Sequence, residues 1–175
     1  MIVKVEKLTS MEDFKGIDAD VLSMKLEAIE NLIRAYTNNN FQNRAMRIEA
    51  PIENGVLLGH SPYFKVGDTV QISQSMVNDG LYVIAEITDA GIVLDRDVFD
   101  FPLNTVTKII YPADVQKGVI DLLIWEKDNR SKVGIKSETI SRHSVTYYDQ
   151  DANNQVMGYP VSLLGFLKPY MKPRF

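Results

Sequence analysis

The chain of 175 residues has no cysteine, one tryptophan and two histidines. Without thiols it has no disulfide, no thiolate metal site and no Cys nucleophile, so its stability rests on packing. Both histidines, His60 and His143, are far apart in sequence, and neither sits in a local motif that would pair it with a nucleophile. No apolar run approaches the roughly 18 residues needed to span a bilayer, and the first residues, Met1-Ile2-Val3-Lys4-Val5-Glu6, form no apolar block of signal-peptide length. The reading is therefore no membrane partner and a protein that stays where it is made.

Glycine-rich phosphate loops are also lacking: the ten glycines are scattered, and Gly55, Gly59 and Gly67 are not followed by Lys-Ser or Lys-Thr. The best carboxylate group, Asp95, Asp97 and Asp100, has no glycine at calcium-loop spacing and reads as a solvated acidic hairpin. No catalytic, cofactor-binding or metal-ligating set emerges, and the expectation is a protein that is not an enzyme.

What is present is 45% hydrophobic content, enough for one core or for a core and a smaller satellite. The formal charge is −4, and its distribution is uneven: −2 over residues 1–43, −4 over 44–110, −1 over 111–167 and +3 over 168–175. An acidic chain is a poor general ligand for nucleic acid phosphate.

Helical and strand periods alternate. From Asp18 to Thr37 the apolar residues Leu22, Leu26, Ile29, Ile33 and Tyr36 recur every three or four positions. Asp18 or Asp20 is placed to cap this helix, and Asn38-Asn39-Asn40 to end it. Ahead of it, Ser10 and Asp13 stand at capping-box spacing for a further turn over 10–15. Residues 44–110 change to a strand pattern, with candidate strands at 44–50, 69–73, 81–87, 91–94 and 105–111. Turns fall at Val66-Gly67-Asp68, Asn78-Asp79-Gly80 and Asp89-Ala90-Gly91. Gly67-Asp68-Thr69-Val70 followed by Gly80-Leu81-Tyr82-Val83-Ile84 resembles SH3-like barrels.

Helical spacing returns after Pro112, with Val115, Val119, Leu122 and Leu123 on one face up to about Glu126, and Asp128 to Ser131 reads as a loop. A short helix from Pro160 carries Leu163, Leu164 and Leu167, and Pro169 is expected to end it. The fold class is thus α+β: a small helical bundle, residues 1–43 and 111–168, interrupted by an inserted five-stranded SH3-like β-barrel, residues 44–110, with an extended tail at 169–175. Burial of each stripe residue contributes roughly 1.5–3 kcal/mol, and the closure cost of a long insertion grows slowly with its length.

The tail, Lys168-Pro169-Tyr170-Met171-Lys172-Pro173-Arg174-Phe175, combines fixed-φ prolines, cations and large apolar side chains, the profile of a peptide that orders on a partner at low entropic cost. Lys168, Tyr170, Met171, Lys172, Arg174 and Phe175 are its candidate docking residues.

Several phrases resemble one family. Leu26-Glu27-Ala28-Ile29-Glu30 through Ile33-Arg34-Ala35-Tyr36-Thr37-Asn38-Asn39-Asn40-Phe41, Pro112-Ala113-Asp114-Val115 through Leu122-Leu123-Ile124-Trp125, Gly134-Ile135-Lys136-Ser137-Glu138-Thr139-Ile140, Ser144-Val145-Thr146-Tyr147 and Gly158-Tyr159-Pro160 are similar to the head-tail connector (adaptor) proteins of tailed phages and prophages. The resemblance implies a ring, generally of twelve subunits, under the portal in the virion neck. The ring is assembled in the bacterial host cytoplasm and links the DNA-filled head to a stopper or tail-completion protein. It implies a tail that docks on portal, self-association that need not persist in the isolated chain, and DNA that passes without sequence-specific binding. The β insert departs from compact family members. The rival reading is a non-enzymatic interaction module built on an SH3-like barrel.

Overall fold

The structure, a computed structural model, describes residues 1–130, 155–156 and 158–174, and the backbone alone of 137–140 and 143–146. It is α+β, and it divides into two compact units: Met1 with Asn40–Tyr111, and Ile2–Asn39 with Pro112–Phe175.

The first unit is one antiparallel sheet of six strands: β1 (Gln42–Glu53), β2 (Val56–Leu57), β3 (Thr69–Ser73), β4 (Gly80–Thr88), β5 (Gly91–Leu94) and β6 (Phe101–Ile109). Pairing runs β1–β2–β5–β4–β3–β6 and returns from β6 to β1. The count of five expected from sequence is corrected to six, because β2 is two residues long and carries no period to read. It matters despite its length, since the circuit passes through it on a single residue pair, Leu57 opposite Ile92. At that seam Gly91 has φ +151°, and a Cβ there would lie 2.3 Å from the Leu57 carbonyl oxygen. Only glycine lets the two strands approach so closely.

Side chains alternate across each strand, and those facing inward make the core: Ile52, Leu57, Val70, Ile72, Ile84 and Val106 are all essentially inaccessible to solvent. β1 is long and irregular, with register shifts between Gln42 and Arg47 and between Ala50 and Ile52, the second spanning Pro51, which cannot donate to the ladder. β6 begins at Phe101, four residues before the expected start, and β1 runs to Glu53, three residues past the expected end. β4 and β5 are joined by the two-residue link Asp89-Ala90.

The second unit contains α1 (Val5–Thr9), a 3₁₀ turn at Glu12–Phe14, α2 (Ala19–Thr37), α3 (Ala113–Asn129), a backbone hairpin of β7 (Ser137–Ile140) with β8 (His143–Thr146), a short pair of β9 (Gln155–Val156) with β10 (Tyr159–Pro160), and a 3₁₀ segment at Val161–Tyr170. In α2 the Asp18 side chain accepts from the N–H groups of Asp20 and Val21, so Asp18 supplies the cap. Leu22, Leu26, Ile29 and Ile33 are buried as their spacing requires, while Tyr36 is half-buried. Asn38, at φ +49°, closes the helix: its N–H donates to Ala35 O and that of Asn39 to Arg34 O, the bond pair of a Schellman closure.

Three expectations are corrected in this unit. The turn expected over 10–15 is present as the 3₁₀ turn at Glu12–Phe14, but Met11 and not Ser10 stands at its N-cap, and the Ser10 hydroxyl donates back to Lys7 O at the end of α1. α3 continues to Asn129, where the Asn129 amide bonds Trp125 O and holds a segment of loop-like composition in helix. The last apolar segment is 3₁₀, with Pro169 inside it, and Met171 N–H reaches back over that proline to Lys168 O. Gly118 marks where this segment lies against α3: a Cβ there would come within 2.5 Å of the Phe166 ring.

A candidate docking site at the C-terminal segment

After the 3₁₀ segment the backbone becomes extended at Met171, and it runs along the end of α2. Lys172 N–H donates to Thr37 O at 2.8 Å. The Asn38 side chain donates to Pro173 O at 2.6 Å, and that of Asn39 to Tyr170 O at 3.0 Å. Arg174 Nη2 donates to Ala35 O at 2.8 Å. A helix leaves its last carbonyls without internal partners, and its C-terminus carries partial negative charge, so a main-chain N–H and a guanidinium at this place satisfy both needs.

The same segment is held to the start of α3. Tyr170 donates its hydroxyl to the Asp114 carboxylate, at 2.8 Å from each oxygen, and this bond to a charged acceptor raises the phenol above its ordinary pKa. The carboxylate also accepts from Val115 N–H at 3.0 Å.

Of the six residues expected to dock, then, Tyr170 and Arg174 bond within the unit, Lys172 is fixed through its backbone, and Lys168, Met171 and Lys172 have exposed side chains. Phe175 lies outside the described residues, as do Gly134 to Lys136 and Tyr147 of the family-like phrases. Sequence reasoning named neither Asn38 and Asn39 as clamps nor Asp114 as a partner. The asparagines signal a helix end equally well when their side chains do nothing further.

A polar cluster lies towards the other end of α3. Tyr159, buried, donates its hydroxyl to Glu126 Oε2 at 2.7 Å, while Lys25 Nζ of α2 bonds Glu126 Oε1 at 3.0 Å. Arg130 approaches Glu126 Oε2 at 3.8 Å and stacks over the Tyr159 ring, and Trp125 tilts against that ring at 5.7 Å. Burial of Glu126 pushes its carboxyl up, but the Tyr159 hydroxyl and the Lys25 and Arg130 charges outweigh this and leave it below the usual carboxylate range. Burial, reinforced by the Glu126 charge, pushes the Tyr159 phenol far above its ordinary pKa. Glu126 thus ties α3 to α2 through Lys25 and to β10 through Tyr159, and a phenol held so firmly neutral is a poor proton donor at neutral pH.

The remaining chemical candidates are dispersed. His60 bonds Thr88 O through Nε2, and the His143 side chain lies outside the described residues. Asp95 accepts from Val83 N–H and Asp100 from Gly55 N–H, so two of the three expected acidic residues act as backbone caps. Among the described residues no group of three His, Cys, Asp or Glu side chains is arranged to hold a metal ion, and no helix is long and apolar enough to cross a membrane. No protein-family model and no curated protein matches the chain.

Proposed function

We propose that the chain is a head-tail connector of a tailed phage or prophage: a subunit of a ring beneath the portal, with a helical bundle interrupted by a small SH3-like barrel. The observation that carries the reading is the C-terminal segment, laid along the ends of two helices that carry the family-like phrases. Its inner side is bonded to Ala35, Thr37, Asn38, Asn39 and Asp114, and Lys168, Met171 and Lys172 are left exposed. A peptide ordered in advance loses less entropy when it meets a partner, and this one carries a charge of +3 over residues 168–175. On this reading the portal contributes an acidic surface with a pocket for Met171, and neighbouring subunits meet heterologously around the ring.

The test is retention of the chain on DNA-filled, tailless heads or on isolated portal. It compares the unaltered chain with a variant carrying Lys168→Glu, Met171→Ser and Lys172→Glu, which leaves the inner bonds intact. Retention of the unaltered chain alone is the expected result. Equal retention of both moves the contact away from the tail, and retention of neither refutes the connector reading.

A further inference from the structure

Strand directions place three connections of the β unit at one end: β1 to β2, β3 to β4, and β5 to β6. Hydrogen bonds join them. Asn78 Nδ2 donates to Phe99 O, and Phe99 N–H returns a bond to Asn78 Oδ1, both at 2.8 Å, while Gly55 N–H donates to Asp100. Asn104 ties the base by donating to Ala50 O and Phe101 O.

The side chains of this tip are sorted against the usual preference of a loop in water. Ser75, Asn78 and Asn104 are buried, at 0–1% exposure, whereas Met76 is 87%, Phe99 70%, Val77 53% and Leu103 49% exposed. The buried polar groups are bonded: Ser75 N–H to Asp79, Asn78 N–H to the Ser75 hydroxyl, and Tyr82 OH to Asn78 O. Gln74 and Met76 also hold left-handed backbone, φ +63° and +64°, which costs a non-glycine residue about 1 kcal/mol and persists where surroundings impose it. The polar interior thus fixes loops that display apolar side chains. Large apolar groups on a rigid mount are how interface anchors are built, because little entropy remains to be lost on contact.

The rim is acidic. Glu53, Asp79, Asp95, Asp97 and Asp100 stand at these three connections against Arg96 alone, and Arg96 is spent on Leu81 O and on the face of Tyr82. Such a rim repels nucleic acid, anionic lipid and a second copy of the same tip, and it favours a cationic border around the partner's apolar site.

We propose that this tip is a protein-docking surface whose partner offers an apolar face bordered by lysine or arginine. The inference stands apart from the connector reading, since it uses no residue of the C-terminal segment.

The probe is a synthetic amphipathic helix of leucine and lysine, titrated into the isotope-labelled full chain and followed by NMR. Shifts are expected to centre on 74–79 and 95–100. Affinity should fall about tenfold or more with Met76→Ser and Phe99→Ser combined, should fall similarly with Asp97→Asn and Asp100→Asn combined, and should weaken with added salt. Both pairs are exposed, and urea midpoints equal to that of the unaltered chain certify the fold. No shifts at 74–79 and 95–100, shifts scattered over other acidic surface, or binding unchanged in the Met76 and Phe99 variant overturn the proposal. Self-association of the free chain that the same variant abolishes would overturn it in favour of a second copy. Variant-sensitive binding to phosphatidylcholine vesicles would do so in favour of a membrane.

Discussion

Asn78 and Phe99 hold each other by two reciprocal hydrogen bonds, side-chain amide to backbone, each 2.8 Å long. The pairing has the form of one rung of a sheet, with the Asn78 amide in place of a strand. It joins two loops that share no ladder.

Replacing Asn78 with alanine leaves both Phe99 backbone groups without that partner. The loss should be about 2–3 kcal/mol in urea unfolding, with the Phe99 amide exchanging hydrogen far faster than in the unaltered chain. Wild-type protection at Phe99 in the variant would show that the rung is dispensable.

At the seam of the sheet, Gly91→Ala adds a Cβ against the Leu57 carbonyl at a backbone angle that alanine rarely adopts. A destabilisation on the order of 3 kcal/mol is expected, with exchange rising first at Val56, Leu57 and Ile92. Uniform loss of protection across all six strands would instead mean that the seam is no weaker than the rest.

The Tyr159–Glu126 pair sets a pH dependence. The folded phenol titrates above its ordinary value of 10.0, so its contribution is complete below that pH and is lost as pH rises towards the folded value. Glu126 titrates low when folded, so its contribution is present above the ordinary carboxylate value of 4.5 and fades as pH falls below it. Urea midpoints should therefore decline at both extremes. Tyr159→Phe should flatten the alkaline limb, and a limb unchanged by that substitution would assign it to other groups.

Asn38→Gly separates two roles of one residue. Glycine accepts the left-handed angle that closes α2, so the helix end persists, but the bond to Pro173 O is gone. Exchange at Lys172 should rise several-fold while protection within α2 stays within error. Loss of α2 protection as well would mean that the side chain, not the angle, holds the helix end.

How far the sequence discloses this molecule varies with the length of each element. α2 carries five turns of period and a cap at either end, and both caps are where Asp18 and Asn38 suggest. β3 and β5 lie between clear turn residues and match their expected bounds. β2 is too short to have a period, and its place depends on Gly91 passing close by, a contact between segments far apart in the chain. α3 outruns its composition because one side-chain bond from Asn129 offsets a weak local preference. At the C-terminal segment the residue types are legible, yet their sorting into an inner and an outer side depends on Asp114 and on the α2 terminus. The tip is hidden for a similar reason, since Asn78 reads as an ordinary turn residue until Phe99 is brought beside it.

The β unit begins and ends at one place. Phe41 and Tyr111 pack at 4.8 Å between ring centroids, Ile110 N–H donates to Phe41 O, and Gln42 stands opposite Ile109. A stretch whose entry and exit coincide can be closed on itself, because joining its two ends takes only a short linker, and the order of its strands can then be permuted without breaking a ladder.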